Sequence, residues 1–311
     1  MKVYSEALQA RKGSALAIQP KKVLLTGLGS FWILDAFLQL QPGMFTMDMI
    51  SDIMKPNVAG EPWWIQQPIN WSIKLVSPHL IAFNWSIVAV QFAIGILILQ
   101  PAKVLRTIGL WSSITWGLLV WFFGEALGNI FSGSATFYSG APGSVILYVL
   151  GAVLLMLPDR FWTCPKLNPA FATVFTILAI GFVLQFNPTF WTPQGVAEPF
   201  EQASFLGGPT FLQMPIDGLV TSIKANPLIA EVWLTASFPI MLVAAYMTTR
   251  SNRLALAVLL LWLAMVWYFG QGIGMLFSGM ATDPNSAPLL ALLVISSYRA
   301  GVLQKQLGNQ T

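Results

Sequence analysis

Residues 116–136 read WGLLVWFFGEALGNIFSGSAT, and residues 262–282 read WLAMVWYFGQGIGMLFSGMAT. The offset is 146 without a gap, and 11 of 21 positions are identical. Chance supplies about one or two identities in such a window, so the chain is internally duplicated. Further matches extend the repeat in both directions. Ala141-Pro142 answers Ala287-Pro288 at the same offset, and Leu38-Gln39-Leu40-Gln41-Pro42 answers Leu184-Gln185-Phe186-Asn187-Pro188. Pro68-Ile69 answers Pro215-Ile216. Pro78, Ile81-Ala82 and Trp85 answer Pro227, Ile229-Ala230 and Trp233 with small gaps.

The duplicated unit is too apolar for water. Of 311 residues, 56% are hydrophobic and only 9% charged, and the mean hydropathy is +0.68. Sixteen basic and twelve acidic side chains cannot cover a 34.1 kDa globule, which excludes soluble, disordered and fibrous classes. The lone Cys164 excludes a disulfide within the chain, a zinc ribbon or a cysteine-held iron–sulfur cluster. The lone His79 excludes a bis-histidine haem built by this chain. No metal centre is expected, and Met44, Met47, Met49 and Met54 are too scattered for a copper–thioether site. A phosphate-binding glycine loop, a Ser-His-Asp set and a zinc motif are all missing, which argues against an ATPase or a soluble-type hydrolase.

Apolar runs long enough to approach a bilayer's thickness fall at 23–41, 80–99, 107–128, 144–157, 170–186, 228–247, 254–277 and 288–297. The expected fold is therefore all-α, a polytopic membrane protein with about eight transmembrane helices in two parallel four-helix repeats. With a cytoplasmic N-terminus, every basic residue except Lys55, Lys74 and Lys224 falls inside, as the positive-inside rule requires. Both termini are then cytoplasmic, in a prokaryotic inner membrane. The net charge of +4 reflects this topology and does not point to nucleic acid.

The chain divides into a basic leader (1–22), a first unit (23–157), a linker (158–169) holding Cys164, a second unit (170–298) and a tail (299–311). Because each unit holds an even number of spans, the expected symmetry is a pseudo-twofold along the membrane normal. In both units a long outer segment follows the first helix. These segments are rich in aromatics (Trp63, Trp64, Trp71; Phe190, Trp191, Phe200, Phe205), and Pro56, Pro62 and Pro68 are expected to break any long helix in the first. They are expected at the headgroup level, either as a packed plug or as a lid.

Phe37-Leu38-Gln39-Leu40-Gln41-Pro42 and Val183-Leu184-Gln185-Phe186-Asn187-Pro188, each a first helix closing on proline, give the unit a plan similar to the DoxX/DoxD group of small prokaryotic membrane proteins. Some members of that group look like quinone-linked subunits of oxidases. The resemblance implies a membrane subunit with a bound quinone or lipid, and it carries over no catalytic residue.

Three acids fall inside the spans: Asp35, Glu125 and Glu231. An ionised group at mid-bilayer costs about 2.5–3.5 kcal/mol even on lenient scales, so such residues usually face a bundle interior or water. Asn84, Gln91 and Gln271 add polar atoms in the same outer half, with His79 at the rim. Glu125 sits in Gly124-Glu125-Ala126-Leu127-Gly128, read as a small-xxx-small helix face. Its repeat partner is Gln271. Either Glu125 exchanges protons or cations in an outward pocket, or it bonds to Gln271 across the repeat axis. Asp35 has Gly181 as its counterpart. The twice-used Phe-Ser-Gly-x-Ala-Thr suits a chain reversal after a helix, and equally a small hydroxyl-rich binding turn.

Three functions stay open. One is an integral subunit of a quinone-linked oxidoreductase or respiratory assembly, with an outer-leaflet pocket for quinone or lipid and with redox subunits as partners. Another is a small-solute or cation transporter coupled through Asp35 and Glu125. The third is a non-catalytic scaffold among membrane lipids and partner subunits. No intrinsic cofactor is expected.

Overall fold

In a computed structural model the described residues form twelve α-helices joined by short 3-10 and π turns, with no strand among them. The structure describes residues 2–163, 168–204 and 209–308, and side chains within 20–162, 168–204 and 209–299. Cys164, Lys166 and Phe205, and the side chains of Lys2, Arg11, Lys12 and Lys305, lie outside the described residues.

The helices are α1 (Lys2–Leu38), α2 (Trp63–Val76), α3 (Leu80–Leu99), α4 (Lys103–Phe123), α5 (Ser144–Met156) and α6 (Arg160–Thr163), then α7 (Pro169–Leu184), α8 (Pro193–Ser204), α9 (Thr210–Ala225), α10 (Pro227–Thr249), α11 (Arg253–Met265) and α12 (Ser286–Gly308). Four stretches are long and apolar enough to cross a membrane: Trp63–Leu99, Lys103–Phe123, Pro227–Thr249 and Arg253–Gly270. Helices α5, α7 and Ser286–Arg299 are apolar but shorter. Large apolar side chains on the long helices point outward, among them Ile81, Val104, Ile240 and Leu261. An all-round apolar helix needs such a lipid-like exterior.

Helix α12 is central and packs on α1, α5, α7, α10 and α11. Its Leu289, Leu290, Leu293 and Val294 join one core with Leu28, Trp32, Tyr148, Phe238 and Leu259. Helices α1 and α3 approach closely at two glycines, Gly29 and Gly95. A Cβ on Gly95 would stand 2.8 Å from the Gly29 carbonyl oxygen, so backbone meets backbone there.

Several boundaries differ from expectation. Helix α1 runs unbroken from Lys2, so position 22 is not a structural boundary. The run at 107–128 stops being α-helical at Phe123, and the run at 254–277 leaves its helix at Gly270. Each is followed by one left-handed turn. Residues 126–129 have φ of 45°, 60°, 70° and 56°, and residues 272–275 have 54°, 52°, 64° and 53°. Gly124–Gly128 is consequently no helix face. Close backbone approach does occur at Gly128, where a Cβ would lie 2.1 Å from the Pro142 carbonyl oxygen. A Cβ on Gly274 would meet Pro284 in the same way. Pro142 thus corresponds to Pro284 and not to Pro288, which lies inside α12. The first half carries four extra residues in this loop, 137–140.

The prolines of the first outer segment do not prevent a helix. Pro62 caps α2 and Pro68 sits inside it, while Ile65, Ile69, Ile73 and Val76 are buried and Trp63, Trp71 and Leu75 face outward. Burying three isoleucines, at about 1.5–3 kcal/mol each, outweighs the roughly 3 kcal/mol cost of an internal proline. Helix α9 repeats this design with Pro215 inside, Ile216 and Ile223 buried, and Phe211 and Met214 outward. Met44, Met49 and Met54 are core residues packed with Ile65 and Ile69.

Polar contacts gather at both ends of the bundle. Lys21 donates to the Leu157 carbonyl (2.6 Å) and pairs with Asp159 (2.5 Å), and Asn168 Nδ2 donates to the Ser297 carbonyl at 3.2 Å. At the opposite end, Gln41 Nε2 donates to the Leu276 carbonyl (3.2 Å), and Gln41 Oε1 accepts from Ala281 N–H (2.8 Å). Asn187, the counterpart of Gln41, donates to the Gly133 carbonyl at 2.9 Å. Each Phe-Ser-Gly-x-Ala-Thr turn is therefore gripped by the first-helix end of the other half.

Candidate functional site

Six of the seven polar residues singled out in the sequence fall into three sets, and His79 stands apart from them. Glu125 and Gln271 form the first. Helices α5 and α12 begin with backbone N–H groups that no helical partner satisfies. Glu125 Oε1 accepts from Ser144 N–H (3.0 Å), Ser144 Oγ–H (2.5 Å) and Val145 N–H (3.2 Å). Gln271 Oε1 accepts from Ala287 N–H (3.0 Å), and Gln271 Nε2 donates to Ser286 Oγ (2.9 Å). The two side chains do not bond to each other. Each caps the last helix of its own half, and only a long contact from Gln271 Nε2 to the Phe137 carbonyl (3.5 Å) crosses over.

Asn84 and Glu231 form the second set. Gln39 Nε2 donates to Asn84 Oδ1 (2.7 Å), and Asn84 Nδ2 donates to the Gln39 carbonyl (3.0 Å). In the other half Gln185 Nε2 donates to Glu231 Oε2 (3.0 Å), Thr235 donates to Glu231 Oε1 (3.0 Å), and Thr136 donates to Gln185 Oε1 (2.9 Å). Glu231 is buried and both its oxygens are satisfied, which suits a structural link between α7 and α10. Gln39 and Gln185 were not singled out in the sequence, although their recurrence at offset 146 was a usable signal.

The third set surrounds Asp35, which is 2% exposed and whose Oδ1 makes no hydrogen bond. Its carboxyl faces the Tyr148 hydroxyl and lies within electrostatic range of Asp283 and Glu125. Gln91 Oε1 and Trp116 Nε1 are also buried without hydrogen bonds. Tyr148 packs on Trp32 with ring centroids 4.5 Å apart, and Trp32 Nε1 donates to Ser113 Oγ at 2.9 Å. Among the described residues no Lys, Arg or His acts on Asp35 or Glu125. Tyr148, Trp116 and Asp283 were not singled out as site residues. An apolar run hides a tyrosine, and Asp283 sits in a loop whose approach to α1 is purely tertiary.

His79 stands apart, exposed at the start of α3, and lines a groove of about 630 Å³ with Phe45, Met47 and Trp85. Glu61, in the segment before α2, is 3% exposed and faces the Ser132 backbone. Burial holds its carboxyl above the usual range. Among the described residues no group of three His, Cys, Asp or Glu could hold a metal ion.

Compared with protein-family models, curated proteins and solved structures, the chain matches none of them.

Proposed function

We propose that the protein is an integral membrane transporter of eight spans, with α1 and the three shorter apolar helices also crossing the bilayer. Its two four-helix units run parallel about an axis along the membrane normal. Both termini face the cytoplasm of a prokaryotic cell. Asp35 is the group that takes up the transported proton or cation.

One observation carries this reading: a buried carboxyl between the halves, without a counter-ion among the described residues, where the corresponding residue is Gly181. Ionisable residues at such depth mark ion and substrate pathways more often than they serve packing. Reconstituted protein is expected to dissipate a pH gradient across liposomes, and Asp35→Asn to lose at least nine-tenths of that flux. Glu231→Gln, whose group is already hydrogen-bonded, is expected to retain it. Equal flux in wild type and Asp35→Asn overturns the assignment.

The His79 groove favours a second reading, a quinone-linked subunit, in line with the DoxX/DoxD resemblance. Its aromatic walls and single imidazole suit a quinone head at the bilayer surface. Organic extraction of the pure protein is the check: stoichiometric quinone in wild type and its loss in His79→Ala support this reading, and quinone-free wild type removes it.

A further inference from the structure

The two halves differ most where their last loops meet the interior. In the second half the space beside Gly181 is filled. Phe137, from the four extra residues of the first half's loop, stacks on Trp262 (5.3 Å, 14° between planes) and meets Phe238 edge-on at 5.6 Å. A Cβ on Gly181 would lie 2.7 Å from Phe238 and 3.0 Å from Phe137. Tyr138 completes the plug, its hydroxyl bonded to the Leu234 carbonyl and Ser237 at 2.9 Å each.

The corresponding positions in the first half carry different chemistry. The buried residues Asn84, Val88, Gln91, Ile94 and Ile98 of α3 match Glu231, Thr235, Phe238, Met241 and Ala245 of α10 at a constant offset of 147. This is one residue away from the sequence pairing of Trp85 with Trp233, and Gln39–Asn84 and Gln185–Glu231 bond in the same register. Asp35 thus stands where Gly181 stands, Gln91 where Phe238 stands, and Trp116 where Trp262 stands. The second half's shorter loop offers no Phe-Tyr plug and brings Asp283 instead. Gln91 Oε1 and Trp116 Nε1 here are buried without a hydrogen-bond partner, and the buried Asp35 carboxyl and Tyr148 hydroxyl face each other. Native interiors rarely leave such groups unsatisfied. The acids that act on one another are Asp35, Glu125 and Asp283, with Tyr148 the other titratable group facing them.

We infer that this buried cluster binds a small organic cation, an ammonium group on a compact apolar body, with Asp35 as its counter-ion and the rings of Trp32, Trp116 and Tyr148 around it. Carboxylate acceptors next to aromatic faces attract ammonium through charge and through the ring quadrupole together. A bare metal ion is poorly served, because no three-ligand set exists among the described residues. Trp116 also lines an open groove of about 460 Å³ between α3 and α4, with Val90, Ile94 and Trp111.

This inference rests on the transport reading and names its substrate class, but it is tested without transport. Phenethylammonium is titrated calorimetrically into detergent-purified full-length protein, with 2-phenylethanol and 3-phenylpropionate as neutral and anionic controls. Saturable binding of the ammonium alone is expected, weakened at least tenfold by Asp35→Asn and unchanged by Glu231→Gln. Gln91→Phe, which restores the residue found in the other half, keeps the fold and abolishes binding, so a misfolded Asp35 variant does not decide the matter. No ammonium binding, equal binding of the alcohol, or full binding by Gln91→Phe overturns the proposal. Binding intact but no gradient-driven flux sinks the transport reading alone, whereas proton flux without ammonium binding sinks this inference alone.

Discussion

Glu125 takes three hydrogen bonds from the first turn of α5, whereas Gln271 takes one from α12 and gives one to Ser286. A neutral amide therefore suffices for the cap. We predict that Glu125→Gln melts within a degree or two of wild type in detergent. Glu125→Ala strands buried donors and should cost about 1–3 kcal/mol, read as a lower midpoint in the same melt. An unshifted Glu125→Ala would remove the capping role. The sequence flagged both residues through their matched positions. Their partners Ser144 and Ser286 were obscured, because the four extra residues put them out of register with the ungapped offset.

Left-handed turns close both long helices of the duplicated segment, and they use side chains poorly suited to them. Placing a non-glycine residue in this region costs about 1–2 kcal/mol, yet Leu127, Ile273 and Met275 accept it. The turn is held by backbone packing of Gly128 and Gly274 on the prolines of the following loop and by Trp121 and Trp267. These donate to the Pro142 and Pro284 carbonyls at 2.8 and 2.7 Å. Position 275 corresponds to Asn129, and asparagine tolerates this conformation better than methionine. Met275 is 39% exposed, so Met275→Asn sacrifices little packing and is predicted to raise stability by about 0.5–1 kcal/mol; a destabilised variant would show that the methionine's contacts outweigh the strain. The apolar runs in the sequence placed both helices and overran their C-terminal ends, since apolar residues continue through the turn.

The two halves are joined by reciprocal grips. Gln41 holds the second half's Gly-Ser turn through both its amide atoms, and Asn187 holds the first half's turn through one exposed bond. Gln41→Ala should therefore lower stability by about 1–2 kcal/mol and Asn187→Ala by about 0.5 kcal/mol, a ranking that denaturant unfolding in mixed micelles can measure. Equal losses, or the reverse order, would contradict the geometry. These contacts also explain why the turn motif occurs twice: each copy is a seat for the other half.

Composition and repetition alone establish an all-helical, strongly apolar, duplicated chain, because hydropathy and identity at a fixed offset are properties of the string. They also isolate the acids that have no business in an apolar helix. The partners of those acids come from elsewhere in the folded chain. Asp283 and Tyr148 lie far from Asp35 in sequence, and the choice between a satisfied Glu231 and an unsatisfied Asp35 turns on which neighbours arrive with donors. Four residues in one loop make that difference, filling one half with aromatic rings and leaving the other lined with unspent hydrogen-bonding groups.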